Sequence, residues 1–327
     1  MFRYIVKRIL LIIPVVLLVA VAIFTIMFFT PEDRASVVLG PGATEEQRYE
    51  LRESLGLNDP YIVQLGNFMY KTFIQLDFGE SYSSGVPIIN ELARRFPNTL
   101  ILAISVIFTE LIIGLPLGIL AARNRGKIID QICMLIALVG ISAPAFWVGL
   151  QLMILFSQKL GWLPVYGIAT WKGWILPIVA TSLRGIAQMA RQSRSSMLEV
   201  IHSDYITTAR AQGLKERTLL ARYALPNALI PVVQTLGNSF GTSLGGTVII
   251  ENVFSIPGVG QYMVEAIATR DYPVIRSTVI VLAIAFSIVM LIVDVAFAFI
   301  DPRIKAQYEA RGKKPGSLTR KRRESNA

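Results

Sequence analysis

Tyr205-Ile-Thr-Thr-Ala-Arg-Ala-Gln-Gly213, followed nine residues later by Tyr223-Ala-Leu-Pro226, is a polar segment set between two long apolar stretches. A chain that did nothing but cross a membrane could close that gap with any short turn, so a segment of this make-up predicts an ordered module. Ser203, Asp204 and the small alternating residues Ala209 and Ala211 suit a short helix. Gly213 permits a sharp reversal, and Pro226 is expected to restart a helix at the bilayer.

Working outward, the whole chain is 53% hydrophobic and only 17% charged over 327 residues, with a mean hydropathy of +0.54. That is too apolar for an ordinary soluble globule and predicts a polytopic, all-α membrane protein. The formal net charge is +10, but the basic residues gather at chain ends and in particular loops, so the excess reads as topology before nucleic-acid binding. Basic and aromatic residues do not interleave as an RNA platform requires. Cys133 and His202 are the only residues of their kinds, which excludes a disulfide framework and a His/Cys metal cluster. Catalysis by either is not expected, because Cys133 lies in an apolar run. Arg3, Lys7 and Arg8 precede the run Ile9 to Phe29, which is bilayer length and lacks a following small-x-small cleavage site, so it is expected to be a retained anchor, not a signal peptide.

Six windows of about twenty apolar residues fall near 9–30, 99–122, 131–157, 174–197, 227–250 and 274–300. An even number puts both termini on one side. Arg3, Lys7 and Arg8, then Arg123, Arg125 and Lys127, then Arg191 to Arg222, and finally Arg303 to Arg323 alternate onto the same face, which the positive-inside rule makes cytoplasmic. The expected organisation is an N-terminal anchor (1–30), an extracytoplasmic loop (31–98), a five-helix core (99–300) containing the polar loop 200–226, and a basic cytoplasmic tail (301–327) expected to associate with anionic lipid. Loop 31–98 balances its arginines with Glu32, Asp33, Glu45, Glu46, Glu50 and Glu53, and Tyr61, Leu65, Phe68, Met69, Thr72, Phe73 and Leu76 recur at helical spacing as one apolar stripe. That amphipathic helix is expected to lie on the outer membrane surface or to cap the bundle.

Within the core, Gly237, Gly241 and Gly245 repeat every four residues, the small-xxx-small pattern of closely approaching helices in lipid. Gln234, Asn238, Ser239, Thr242 and Ser243 spread polarity around the same span, which places it centrally, as packing or as lining of a path. Glu110 and Arg184 are charges inside spans two and four. Counted from Thr99 and Trp174, both lie roughly 15–17 Å deep at about 1.5 Å per residue, so they can pair or line a route near the midplane. Asp294, near the inner end of span six, is expected to anchor packing. Pro144, Pro177 and Pro231 predict kinks or helix starts.

The polar segment resembles the coupling loop of ATP-binding-cassette importers, whose pattern is Glu-Ala-Ala, three residues, Gly, nine residues, Ile, one residue, Leu-Pro. Ala209, Gly213, Leu225 and Pro226 match in register, with Thr207, Thr208 and Tyr223 replacing Glu, Ala and Ile, as in the oligopeptide, dipeptide and nickel branch of that family. The likeness extends through Leu55-Gly-Leu57, Leu76-Asp-Phe-Gly79, Ser81, Pro87, Pro97-Asn-Thr99, Arg191, Arg194-Ser-Ser-Met-Leu198, Glu251-Asn-Val-Phe-Ser-Ile-Pro-Gly-Val-Gly260 and Asp301-Pro-Arg303.

The resemblance implies a six-span permease that is not itself an enzyme. It implies a homologous second permease, two ATPases that bind ATP and Mg, and an extracytoplasmic substrate-binding protein. The chain's own lack of a G-x-x-x-x-G-K-[ST] loop agrees with hydrolysis on a separate subunit. Asp204, Thr207, Thr208, Ala209, Arg210, Ala211, Gly213, Leu225 and Pro226 become candidates for ATPase coupling, with Ala209, Ala211 and Gly213 as a low-profile surface and Arg210 and Asp204 at its rim. Glu251, Phe254, Pro257 and Gly258 become candidates in the extracytoplasmic loop. The implied substrate is a di- or oligopeptide, with nickel as the alternative. A secondary transporter coupled through Glu110 and Arg184 is a rival, but no inverted repeat is visible in the hydropathy. An intramembrane enzyme lacks a plausible dyad.

Overall fold

Apolar side chains at helical spacing dominate the chain, and the computed structural model is helical accordingly; it describes residues 2–30, 34–40 and 42–300. Glu32, Asp33, the Asp301-Pro-Arg303 motif and the basic tail lie outside the described residues.

The N-terminal run forms α1 (Phe2–Phe28). Two short helices follow, α2 (Arg34–Leu39) and α3 (Glu45–Ser54), the second opened by a capping box between Thr44 and Gln47. The predicted amphipathic stripe becomes α4 (Tyr61–Phe73). It packs on α1, where Phe68 stacks on Phe24 with ring centroids 5.2 Å apart and Tyr61 meets Phe28 edge-on at 5.0 Å. Leu76 does not share that face: it lies beyond the helix end at φ +55° and is exposed.

Helix α5 (Ile88–Thr109) begins well before the apolar window at 99 and continues, through a widened π-helical turn at Glu110–Gly114, into α6 (Leu115–Arg123). The whole rod of 36 residues is about 54 Å long at 1.5 Å per residue, so its first turns stand clear of a bilayer about 30 Å thick.

The third apolar window is two helices, α7 (Ile128–Ser142) and α8 (Ala145–Leu152), the latter running into a π-helical turn at Met153–Lys159; the path bends by 102° between them. The break has a local cause. Ala143 precedes Pro144 and is extended, at φ −78° and ψ 127°, because the proline ring clashes with a helical residue before it.

Helix α9 (Ile175–Ile201) is followed by α10 (Asp204–Ala211), α11 (Glu216–Thr218) and a π-helical turn at Leu219–Ala224 leading into α12 (Leu225–Val253). The fold closes with α13 (Val259–Thr269) and α14 (Tyr272–Ile300). Among the described residues three rods can cross a membrane by length and composition, within α1, α5–α6 and α14, or four if the bent pair counts as one. Helices α9 and α12 fall short of that test because they are polar. They are also each other's most extensive packing partners, so their polar faces need not meet lipid. Exposed Leu135, Ile136 and Val139 on α7, and Leu10, Leu18 and Ile26 on α1, supply apolar outer surface.

Two features have one explanation. The π-helical turns at Glu110–Gly114 and Leu219–Ala224 each precede a Leu-Pro pair, Leu115-Pro116 and Leu225-Pro226. Proline has no N–H to donate and its ring collides with the carbonyl four residues back, and a widened turn relieves both faults. Pro226 therefore does not restart the helix: the helical path begins ten residues earlier, at Glu216, and Pro226 sits after its widened turn.

Candidate functional site

The polar loop joins the C-terminal end of α9 to the N-terminal end of α12. Helix α10 docks through Ile206 and Ala209, which are buried with Met197, Leu219 and Ala224. Ala209 is thus not part of an outward surface. Its small size lets α10 lie close on the bundle, and the outward residues are Tyr205, Thr207, Thr208, Arg210, Ala211 and Gln212. Thr207 and Thr208 donate from Oγ1 to the carbonyls of Ser203 (3.3 Å) and Asp204 (2.9 Å). Gly213 takes φ +81°, as a sharp reversal requires, with open space where a side chain would start.

Asp204 and Arg210 are both exposed on α10. Arg210 Nε donates to Glu216 Oε1 at 2.6 Å, and that carboxylate pushes the guanidinium above its ordinary pKa. Asn227 reaches back to donate to Tyr205 Oη at 3.0 Å, tying the start of α12 to α10. Leu225 is half-buried and Pro226 exposed. Beneath the loop, Arg194 grips Asp130 with two hydrogen bonds of 2.6 and 2.8 Å. Asp130 also accepts from the Gly126 amide at 3.0 Å.

Two adjoining cavities run along the seam of α9 and α12. The first, about 370 Å³, is bounded by Glu110, Pro144, Thr181, Arg184, Gln188 and Ser243 among others. The second, about 550 Å³, has Gln188, Arg191, Gln192, Ser195, Asn238 and Thr242 in its wall. Ile141, Gln188, Ser239 and Thr242 border both, so the two form one polar groove.

Glu110 and Arg184 share the first cavity but do not pair. Glu110 is 1% exposed and accepts from Ser239 Oγ at 2.5 Å. From α9 it is Gly185 that faces Glu110, so closely that a β-carbon there would overlap the carboxylate. Adjacent helical residues point about 100° apart, so with Gly185 against Glu110 the Arg184 side chain is turned into the cavity.

The glycine repeat divides. A β-carbon at Gly237 would meet Val293, and one at Gly241 would overlap Phe286, so these two admit α14; Gly245 faces open space. Gln234 and Asn238 are exposed. Asp294 forms an ion pair with Arg8 at 2.8 Å, joining α14 to α1 as expected.

The outer-loop candidates are interior. Glu251 and Phe254 are 0% and 3% exposed, Gly258 is buried and Pro257 half-buried. Glu251 Oε2 accepts from the Gln261 amide at 3.1 Å, a carboxylate at the N-terminus of α13. Two motifs far apart in sequence interlock here: Asn98 Nδ2 donates to the Pro257 carbonyl at 2.8 Å, and the Val259 amide donates to Thr99 Oγ1 at 2.9 Å. Sequence reasoning missed Asp271, which is 1% exposed and takes hydrogen bonds from Ser81 Oγ (2.7 Å) and from the Ser83 amide and hydroxyl (3.1 Å each). It also missed Gly114 and Gly118, which repeat the four-residue glycine spacing of span five and admit α9.

Comparison with known proteins agrees with this architecture. Residues 114–306 match the family described as "Binding-protein-dependent transport system inner membrane component", and residues 1–103 match its N-terminal counterpart. The chain is 40% identical over 305 residues to the glutathione transport system permease protein GsiC of Salmonella choleraesuis (strain SC-B67), covering 93% of this chain and 99% of that one. It is 39% identical over the same length to GsiC of Escherichia coli (strain K12). Among solved structures, an inward-facing form of the MetNI methionine ABC transporter aligns at TM-score 0.57 and 21% identity, covering 66% of this chain and 98% of the other. That likeness concerns the fold.

Proposed function

The chain belongs to the binding-protein-dependent transport inner-membrane components, the permease subunits of ABC importers, and from that premise we propose that it carries di- or oligopeptides inward across the cytoplasmic membrane. In this reading it crosses the membrane six times with both termini inside. It pairs with a homologous permease, receives substrate from an extracytoplasmic binding protein, and is driven by two ATPase subunits that bind ATP and Mg.

One observation carries the reading. The two helices that wall the polar groove, α9 and α12, are the same two whose inner ends hold α10. A push on α10 is delivered through Ile206 and Ala209 to both walls at once, because packed interiors move as units and do not deform smoothly. Asp204, Thr207, Thr208, Arg210, Ala211 and Gly213 present the contact to the ATPase, Ala209 seats the helix, and Leu225 and Pro226 join it to the groove wall. In the groove, Glu110, Arg184 and Asn238 supply polar lining, while Gln234 stands exposed on α12 outside it; Gly237 and Gly241 set the approach of α14, and Gly245 is free for the second permease. Glu251, Phe254, Pro257 and Gly258 brace the outer end.

Reconstitution of the complete complex in proteoliposomes tests this, with glutathione as the probe. Gly213→Val puts a β-branched residue at a positive φ in open space, so it strains only the reversal. ATP hydrolysis is expected to persist while uptake falls by roughly tenfold or more, equivalent to about 1.4 kcal/mol. Uptake at the wild-type rate by this variant removes the loop from coupling, and uptake of nickel ions in place of any peptide moves the substrate to the alternative.

A further inference from the structure

Several arginines in the fold are tied to carboxylates: Arg194 to Asp130, Arg8 to Asp294, Arg95 to Glu91 and Glu265. Arg184 and Arg191 are not. Among the described residues neither enters an ion pair, both are exposed, and each borders one of the two cavities of the groove. They are seven residues, or two turns, apart on one face of α9, which separates them by about 10 Å. Gln188, between them on that face, borders both cavities.

Arg184, expected near the midplane, is costly there unless it meets water, a counter-charge or a ligand, and Arg191 stands two turns further along α9, towards its basic end. Among the described residues the facing wall offers neutral groups, Thr235, Asn238, Ser239 and Thr242, and Glu110 is the one carboxylate that borders either cavity. One of its oxygens already accepts from Ser239. Two guanidinium groups against one carboxylate leave the groove positive whichever protonation state Glu110 adopts.

We propose that Arg184 and Arg191 form a two-step arginine track that receives peptide carboxylates, so that the permease itself, and not only the binding protein, selects net-anionic small peptides over neutral or cationic ones. Guanidinium matches a carboxylate in two-pronged geometry, which an amide cannot imitate. An extended chain rises about 3.3–3.6 Å per residue, so the two ends of a tripeptide lie roughly 10 Å apart. A tripeptide with a carboxylate at each end therefore engages both arginines at once, and its ammonium has Glu110 within the same groove. The inference rests on the groove being the substrate path.

The test is equilibrium binding to the permease–ATPase complex in nanodiscs without binding protein, using glutathione, its diamide and the cationic tripeptide Lys-Ala-Gly. Glutathione is expected to bind about tenfold or more tightly than the diamide, with the cationic peptide weakest, because hydrogen bonds to charged groups are stronger than neutral ones. Arg184→Gln and Arg191→Gln should each erase roughly tenfold of that preference, Arg→Lys at either site should retain part of it, and added salt should erode it. Where a Gln variant does not assemble, the Lys variants and the salt dependence of the wild type decide. Equal binding of glutathione and its diamide, or a preference indifferent to salt and to both Gln substitutions, overturns the track while leaving the path intact. Failure of all three peptides to bind overturns the path, and the track with it.

Discussion

At Glu110 the decisive neighbour is a hydrogen atom. Gly185 leaves room for the carboxylate, and Ser239 supplies its hydrogen bond from α12. Gly185→Ala is expected to eject or compress the acid, at about 1–3 kcal/mol for overpacking, and to lower the yield of assembled complex in detergent size-exclusion chromatography. Adding Glu110→Ala should restore much of the yield, because the obstructing group is gone; a double variant as poor as the single one removes this contact from the account. The Asp130 and Arg194 pair makes the complementary point. Asp130→Asn weakens two charged hydrogen bonds to a guanidinium that is only 27% exposed, so a loss of about 2 kcal/mol is expected, read as a lower thermal midpoint of the solubilised protein. An unchanged midpoint would mean that the pair positions the loop without stabilising it.

Helix α10 is too short to be stable by itself, since isolated helices of fewer than about 12–15 residues are marginal in water. Its order comes from Ile206 and Ala209 at its buried face. The two alanines of α10, Ala209 and Ala211, therefore predict different failures. Ala209→Leu should lift the helix from the bundle and lower both assembly and transport. Ala211→Leu, on the exposed face, should leave the isolated permease as stable as before and weaken only its joining to the ATPases. Thermal midpoint and co-purified ATPase, measured on both variants, separate these; equal effects on both readouts would contradict the assignment of faces. Helix α4 shows the same logic at the other end, where its apolar stripe is satisfied by Phe24 and Phe28 of α1.

For the molecule as a whole, the proposed orientation rests on where basic residues fall, and exposed side chains supply probes of it. Gln75, beyond the end of α4, and Gln212, beyond the end of α10, are both exposed, and Cys133 is the sole native thiol. In a Cys133→Ala background, Gln75→Cys should react with an impermeant thiol reagent added to intact cells, and Gln212→Cys only after lysis. The reverse labelling would invert the topology and remove α10 from reach of the ATPases.

Much of this was legible in the chain alone. Apolar windows become helices wherever they occur, because in lipid every backbone group must be satisfied within its own segment, and the stripe on α4 and the polar module at 204–213 follow from side-chain period and turn chemistry. The order of matched residues sufficed to identify the family likeness. What crosses from one element to another was not legible. Helical period says which residues share a face but not what stands opposite, so only the packed structure turned Ala209 inward, set Gly185 and not Arg184 against Glu110, and left Gly245 open beside two glycines that admit α14. The same holds for Asp271 with Ser81, and for the joining of Thr99 to Val259. Those contacts link residues some 160 to 190 positions apart, and no local pattern encodes such a meeting, since it is the close packing of whole helices that brings the partners together.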